Sequence, residues 1–209
     1  MKEILKGCPV KSGKHRGFII ILVLAVFAAG TAGLGFTKEK AQKREIHKIS
    51  SENVRIRNIG CDTEELNPLR KDEHPKINGA VEKYFEGLTQ GETFVEKYDD
   101  ICVYTKVGQY KGVYIAFAEY RMKIKDIYTE VPGLVTLYVS EDKKDGQYRI
   151  DAEAPEGLEE DYVRAIVGHA DVQGLLRRTE DEFDLAVRSD ALLREALTDL
   201  KNVYSAYAG

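Results

Sequence analysis

The alternation of side chains within Lys111–Ile127 constrains the fold of this chain more than any other stretch. In KGVYIAFAEYRMKIKDI, every second position of Tyr114–Ile124 is apolar or aromatic. The positions between them are apolar as far as Phe117 and charged over Glu119–Lys125. Because successive side chains of a strand point to opposite faces, this pattern predicts one long β-strand. We expect its Tyr-Ala-x-Ala-Tyr face to form the floor of a core and its charged half to project toward solvent.

Three further strands complete the predicted sheet. Apolar runs predict them at Ile101–Thr105, Val131–Ser140 and Gly146–Ala152. The dipeptide Asp145-Gly146 is typical of a tight turn, so the last two strands are predicted to form a hairpin. Strands that follow one another along the chain favour antiparallel pairing. Together with the helices before them, they predict an α+β domain with helices packed on a curved antiparallel sheet.

Apolar residues at helical spacing lie on both sides of these strands. The first predicted helix begins at Pro75, a residue suited to the first helical turn, and ends at Gly91. Acidic residues favour N-caps, because a side-chain oxygen accepts from free backbone N–H groups. The other predicted helices are Glu92–Tyr98, one that follows Leu158, one capped by Asp171 and one capped by Asp190.

The run Gly17–Phe36 contains twenty residues without a charge. As a helix it would be about 30 Å long, which matches the hydrocarbon core of a bilayer. Its length favours an uncleaved transmembrane helix over residues 18–36. A cleaved signal peptide remains the alternative, since Ala28, Ala29 and Ala32 supply small residues for a cleavage site.

The residues around this run predict the domain organisation. Lysines and arginines flank it on both sides, so their count does not fix the orientation. The short basic leader, residues 1–17, is typical of a signal-anchor with its N-terminus in the cytoplasm. We therefore predict a single-pass protein of the cell membrane with an extracytoplasmic body. Residues 37–73 are predicted to be a stalk or linker, residues 74–154 the α+β domain and residues 155–209 a helical C-terminal region.

The charge distribution excludes one class of partner. The formal net charge is −4, and residues 1–17 carry five Lys or Arg against one Glu. The rest of the chain is therefore more acidic than the total suggests. Nucleic acids bind surfaces of positive potential, so we expect no nucleic-acid binding.

Four stretches carry a resemblance to known proteins. They are HPKINGAVEKYFEGLTQGE, DDICVYTKVGQYKGVYIAFAEYRMKI, TEVPGLVTLYVSEDKKDGQYRI and SDALLREAL, within residues 74–201. These stretches resemble membrane-anchored extracytoplasmic proteins of Gram-positive gut bacteria. The order of elements resembles the nuclear transport factor 2-like (cystatin-like cone) fold. The resemblance implies a cone-shaped domain and no catalytic residue, because such proteins are mostly of unknown function.

A cone of this type can hold a pocket in its concave face, and some members use it for acid–base catalysis. The candidate lining residues here are Tyr104, Tyr114 and Tyr120, with Asp99 and Asp100. Tyrosines also pack at the rim of a core through their large amphipathic rings. No histidine falls on a predicted strand, so we expect no catalysis.

The histidines and cysteines make no metal-binding motif. Only His169 and Asp171 are neighbours, and zinc takes three or four protein ligands, so we predict no metal and no cofactor. In an exported body, Cys61 and Cys102 could form a disulfide. Alternatively, Cys102 is a small hydrophobic residue within its strand.

These features predict a non-enzymatic, membrane-anchored binding or assembly module. Its partner would be another protein or a second copy of the chain, and residues 18–36 would hold it in the membrane. One alternative is a component of an envelope-spanning conjugation or type IV secretion complex. The other is an enzyme or sensor with a pocket for a small ligand.

Overall fold

A five-stranded antiparallel sheet lies at the centre of the computed structural model, which describes residues 55–91 and 94–207. The strands pair in chain order, so each lies beside its neighbour in sequence. They are β1 (Arg70–Lys71), β2 (Val95–Val107), β3 (Val113–Ile124), β4 (Val131–Glu141) and β5 (Tyr148–Asp151). The predicted strand at Lys111–Ile127 is thus β3, and it occupies the middle of the sheet. The predicted hairpin is formed by β4 and β5, with Gly146 in the left-handed region at φ 66°.

Helices cover both faces of this sheet. They are α1 (Pro75–Gly91), α2 (Leu158–Val167), α3 (Ala170–Ser189) and α4 (Ala191–Tyr207). Apolar residues of α1 and α4 pack on one face of the sheet and form the first core. Apolar residues of α2 and the first half of α3 pack on the other face and form the second core. The described part of the chain is therefore an α+β arrangement in three layers. Its C-terminal helices share both cores with the sheet.

The first core confirms the predicted role of β3. Ala116, Ala118 and Tyr120 form its floor, beneath Ile77 and Phe85 of α1. The two alanines are fully buried, and their small side chains let the helix approach the sheet closely. The Tyr-Ala-x-Ala-Tyr face is a packed core, as the alternation predicted.

The charged half of β3 is less exposed than predicted. Glu119 and Arg121 are half-buried, because α3 crosses this end of the sheet and pairs with them. Arg178 and Glu182 of α3 supply the partners, with N–O distances of 2.7 Å in both pairs. The prediction failed because the alternation of one strand cannot show which helix later covers its polar side.

The predicted helix at Glu92–Tyr98 is wrong over its described residues. Val95–Val107 forms β2, and Val95 pairs with Ile124 while Tyr98 pairs with Met122. A β-bulge between Val95 and Lys97 lets both apolar side chains face the first core although they are three residues apart. A bulged strand therefore produced the spacing that is typical of a helix.

Residues 55–69 lie on the folded body, although the sequence predicts a stalk there. Asn58 N donates to Gln109 O at 2.8 Å, and Lys111 N donates to Ile56 O at 2.8 Å. Arg57 also bridges Tyr110 in the turn between β2 and β3. These contacts join the segment to the sheet before β1 begins.

The remaining predicted regions, residues 1–17, 18–36 and 37–54, lie outside the described residues. Within residues 55–91 and 94–207, none of the helices combines the length and the apolar character needed to cross a bilayer.

Candidate functional site

The three tyrosines predicted to line a pocket are not brought together as one site. Tyr120 belongs to the first core, and Tyr104 packs against the second. Both border a polar groove beside α3. Tyr114 lies elsewhere, with its ring centroid 4.8 Å from that of His74.

Tyr120 has the environment of a core residue. Only 4% of it is exposed, and its ring lies 5.1 Å from Phe85 and 5.4 Å from Tyr98, measured between centroids. Burial raises the pKa of its hydroxyl well above the usual value, because the charged form would be poorly solvated. Tyr120 therefore contributes packing rather than proton transfer.

The polar groove, about 370 Å³ in volume, contains two ion pairs between β3 and α3. Arg178 donates to Glu119 at 2.7 Å and to the Tyr104 hydroxyl at 3.2 Å. Arg121 donates to Glu182 at 2.7 Å. These ion pairs fix α3 on the sheet.

Two further predicted residues lie at or near this groove. Asp100 lines it with a backbone φ of 50°, and Asp99 pairs with Lys97.

Burial, followed by a hydrogen bond involving Cys102, raises the pKa of Tyr104 to about 12, although Arg178 opposes the rise. Tyr104 is therefore protonated near neutral pH and serves as a hydrogen-bonding group.

A larger cleft, about 680 Å³, opens between α1 and the β4–β5 hairpin. Lys76 and Lys83 stand on the helix side, and the rings of Tyr84 and Tyr148 lie beside them. Both lysines are exposed, and neither forms an ion pair within the described residues. Burial raises the pKa of each of these tyrosines to about 12, so their hydroxyls remain donors. The cleft can accept an anionic group flanked by apolar contact.

Gly79 widens this cleft on the helix side. A methyl group built at Gly79 would have no neighbour within 4 Å, so the space above the backbone is open. The other cleft residues of the helix are Pro75 and Ala80, both small or compact. A ligand can therefore contact the backbone of α1 between the two lysines.

A buried ammonium group lies on the other side of the sheet. The side chain of Lys106 in β2 is 0% exposed. Its Nζ donates to Asn67 O at 2.7 Å and to Asp171 Oδ2 at 2.8 Å, and it lies 3.1 Å from His169 Nδ1. An ammonium has three N–H donors, so these three acceptors satisfy it completely. We call these four residues the Lys106 cluster.

Asn67 fixes the preceding segment to β2 through its side chain. Its Oδ1 accepts from Val107 N and its Nδ2 donates to Val107 O, both at 2.8 Å. The amide thus imitates the pairing of a neighbouring strand. The Tyr162 hydroxyl of α2 lies 2.8 Å from Cys61 O and 2.9 Å from Val107 O, which closes the network.

Asp171 has a different role from the predicted N-cap. The N-cap of α3 is His169, and Asp171 Oδ2 accepts from Leu69 N at 2.9 Å as well as from Lys106. Burial raises the pKa of Asp171, but the hydrogen bond from Lys106 and those from backbone amides outweigh it, so the pKa is lowered. Asp171 therefore remains a carboxylate that joins three parts of the chain.

The sequence singled out His169 and Asp171 as neighbours but missed Lys106 and Asn67. A lysine within an apolar strand, at the position after Thr105, was the only signal available. The role of Lys106 depends on its contacts with Asn67 and Asp171, which lie 39 and 65 positions away from it in sequence. No periodicity within a strand reports such contacts.

Cys61 and Cys102 are free thiols in the structure, so the disulfide that the sequence left open is not formed there. The Cys61 carbonyl lies by Tyr162, at the Val107 end of β2, while Cys102 is five residues back along the same strand, roughly 16 Å away. Cys102 Sγ instead lies 3.9 Å from Asp72 Oδ2. Among the described residues, no three His, Cys, Asp or Glu side chains gather in a way that would hold a metal ion.

Fold and site together define an α+β protein with a five-stranded antiparallel sheet between helices and an open cleft that carries two lysines. Comparison of the chain with known families, with curated proteins and with solved structures finds no match.

Proposed function

We propose that this chain is a membrane-anchored, non-enzymatic binding or assembly module whose partner protein places an acidic segment in the cleft between α1 and the β4–β5 hairpin. The observation that carries the proposal is the pair Lys76 and Lys83, exposed and without ion pairs in the described structure, beside two tyrosine rings. Lysines give such a site electrostatic attraction, and tyrosines give it apolar contact area at little entropic cost.

The shape of the cleft favours a protein segment over a small substrate. It is open along the helix, with Gly79 and Gly146 at its walls, and it contains a single acidic residue, Asp145, at its rim. In contrast, the polar groove contains two ion pairs that join β3 to α3, which favours a structural role there. The exposed lysines and the tyrosines of the cleft therefore support a binding function more than they support acid–base catalysis.

The membrane anchor and the cone fold belong to the same proposal. The uncharged run over residues 18–36 supports an anchor, with the body outside the cytoplasm. Three long paired strands, two bulges in β2 and a helix before them support a nuclear transport factor 2-like cone. In this arrangement the cleft would face partners in the envelope.

Charge reversal in the cleft tests the binding proposal. The full chain with Lys76→Glu and Lys83→Glu is expressed in native membranes, and the protein that co-purifies with the wild-type chain is quantified. Two like-charge contacts should replace two attractive ones, so we expect recovery to fall by at least about tenfold.

A matched control uses two lysines at the tip of the same hairpin. Lys143 and Lys144 lie next to the cleft without lining it, so Lys143→Glu with Lys144→Glu should leave recovery unchanged. If the cleft variant retained its partner, or if both variants lost it equally, the cleft would not be the binding site.

A further inference from the structure

The Lys106 cluster connects the first described segment of the chain to the body. Asn67 O and the Leu69 amide belong to this segment, and both are bound to the cluster through Lys106 and Asp171. The imidazole of His169 adds a third connection, because its Nε2 lies 3.2 Å from Asp62 O. One of the contacts that attach residues 55–69 to the body therefore involves the imidazole of His169.

The geometry determines the tautomer of His169. An ammonium has donors and no acceptor, so Nδ1, at 3.1 Å from Lys106 Nζ, must accept a hydrogen bond. A carbonyl oxygen accepts and never donates, so Nε2 must carry the proton directed at Asp62 O. The attached arrangement therefore contains neutral His169 with its proton on Nε2.

Protonation at Nδ1 would disrupt this arrangement. It would remove one of the three acceptors of Lys106 and place two cations about 3 Å apart at a site where the lysine is fully buried. Such a contact costs more than the same contact in water, because Lys106 is fully buried and His169 is only partly exposed.

Two carboxylates lie near His169, and the charge of Asp171 also faces Lys106. Asp171 from α3 already accepts from Lys106, Leu69 and Val172, and Glu64 accepts from the Ala170 amide. Asp62 approaches the His169 ring through its backbone carbonyl oxygen. The pKa of Asp171 is lowered, so this carboxylate stays charged across the range in which histidines titrate.

We propose that the Lys106 cluster is a proton-sensitive attachment, which holds residues 55–69 on the body while His169 is neutral and releases them when His169 is protonated. The attached state binds one proton fewer than the released state. Lowering the pH therefore favours release, by up to about tenfold for each pH unit over which only the released state is protonated. Release would free the described chain that precedes the sheet.

Hydrogen exchange of the full chain tests this directly. Protection factors, corrected for the pH dependence of intrinsic exchange, are measured at about pH 7.5 and about pH 5, the range in which histidine changes charge. The reporters are three backbone amides. Those of Asn58 and Leu69 in the segment donate to the body, and that of Lys111 in the body donates to Ile56 O of the segment. We expect their protection to fall by at least about tenfold at the lower pH, while amides of β3 and β4 keep theirs.

Two histidine variants separate this mechanism from general acid effects. In His169→Asn, the side-chain Oδ1 takes the place of Nδ1 as an acceptor and does not titrate, so protection of the segment should become independent of pH. His74 is the other described histidine and lies on the opposite face against Tyr114. His74→Asn should retain the full pH response.

Three results would overturn the proposal. The first is a wild-type segment whose protection is the same at both pH values. The second is a His169→Asn variant that responds to pH as strongly as the wild type. If His169→Asn does not fold, Lys106→Met removes the opposing cation instead. Protection in Lys106→Met should be equal at the two pH values, whatever its level. A pH response that persists in this variant would be the third result.

Discussion

Gly133 shows how a single residue determines the packing of the first core. It pairs with Tyr120 across β3 and β4, and the ring of Tyr120 occupies the space that a side chain at position 133 would need. A Cβ at this position would lie 2.4 Å from Tyr120 Cζ. Phe85 and Tyr98 pack against that ring, so it has little room to move.

We therefore expect Gly133→Ala to lower the free energy of unfolding by about 1–3 kcal/mol through overpacking. Denaturant unfolding of the full chain measures the change. Gly87→Ala is the control, because nothing lies within 4 Å of its Cβ and alanine favours the helix by roughly 1 kcal/mol. If the loss arises from the ring, Gly133→Ala should cost much less in a Tyr120→Leu background. An equal cost in both backgrounds would contradict this explanation.

At the scale of elements, β2 shows why one predicted helix was wrong, and Asp190 shows why the last predicted helix was correct. The bulge in β2 produced an apolar spacing of three, which periodicity alone interprets as helical. Asp190, in contrast, is an N-cap in the structure as in the sequence. Its Oδ1 accepts from Leu192 N at 2.9 Å and from Leu193 N at 3.1 Å. Local hydrogen bonds can be read from local sequence, whereas a bulge depends on the partner strand.

The Asp190 cap predicts a pH-dependent loss of stability. The hydrogen bond from Leu193 N, followed by one from Thr129, holds the pKa of Asp190 below its usual range. A lowered pKa in the folded state stabilises the fold above that range and ceases to do so as the pH falls through it. Asp190→Ala should thus lower the unfolding midpoint at neutral pH, and its difference from the wild type should shrink on acidification.

Asp190→Asn serves as the control for the cap, because asparagine accepts the same backbone hydrogen bonds without titrating. It should remain closer to the wild type than Asp190→Ala at neutral pH. A difference between Asp190→Ala and the wild type that stayed constant with pH would show that the carboxylate charge contributes nothing.

At the scale of the whole molecule, the sheet is covered by helices on both faces, and the segment before it is attached at the edge of the second core. Ile59 in this segment is 96% exposed, in contrast to the buried Lys106 beside Asn67. An exposed position so near the start of the described chain can test the proposed membrane topology.

The predicted topology leads to a labelling experiment in intact cells. In a background where Cys8, Cys61 and Cys102 are serine, Ile59→Cys should react with a membrane-impermeant thiol reagent. Lys14→Cys, on the opposite side of the apolar run, should react only after lysis. If Ile59→Cys also required lysis, the body would lie inside the cell and the predicted orientation would be wrong.

Much of the fold was available from the sequence alone. Alternation in β3 predicted the central strand and its buried face, Pro75 and Gly91 predicted the bounds of α1, and Asp145-Gly146 predicted the hairpin. Each of these features is determined by residues close together in the chain. Backbone sterics, strand alternation and caps act over a few residues, so the pattern carries the information.

Only the tertiary structure decided which charged residues are buried and what they hold. Lys106 has the appearance of a surface lysine until α3 and the segment before β1 close over it. Tyr104, Tyr114 and Tyr120 suggest one pocket, but only Tyr104 and Tyr120 border a common groove in the fold. The desolvation of a charge and the convergence of side chains depend on partners tens of residues away. Those contacts form only when the elements pack, so the sequence determined the elements and the packing determined the sites.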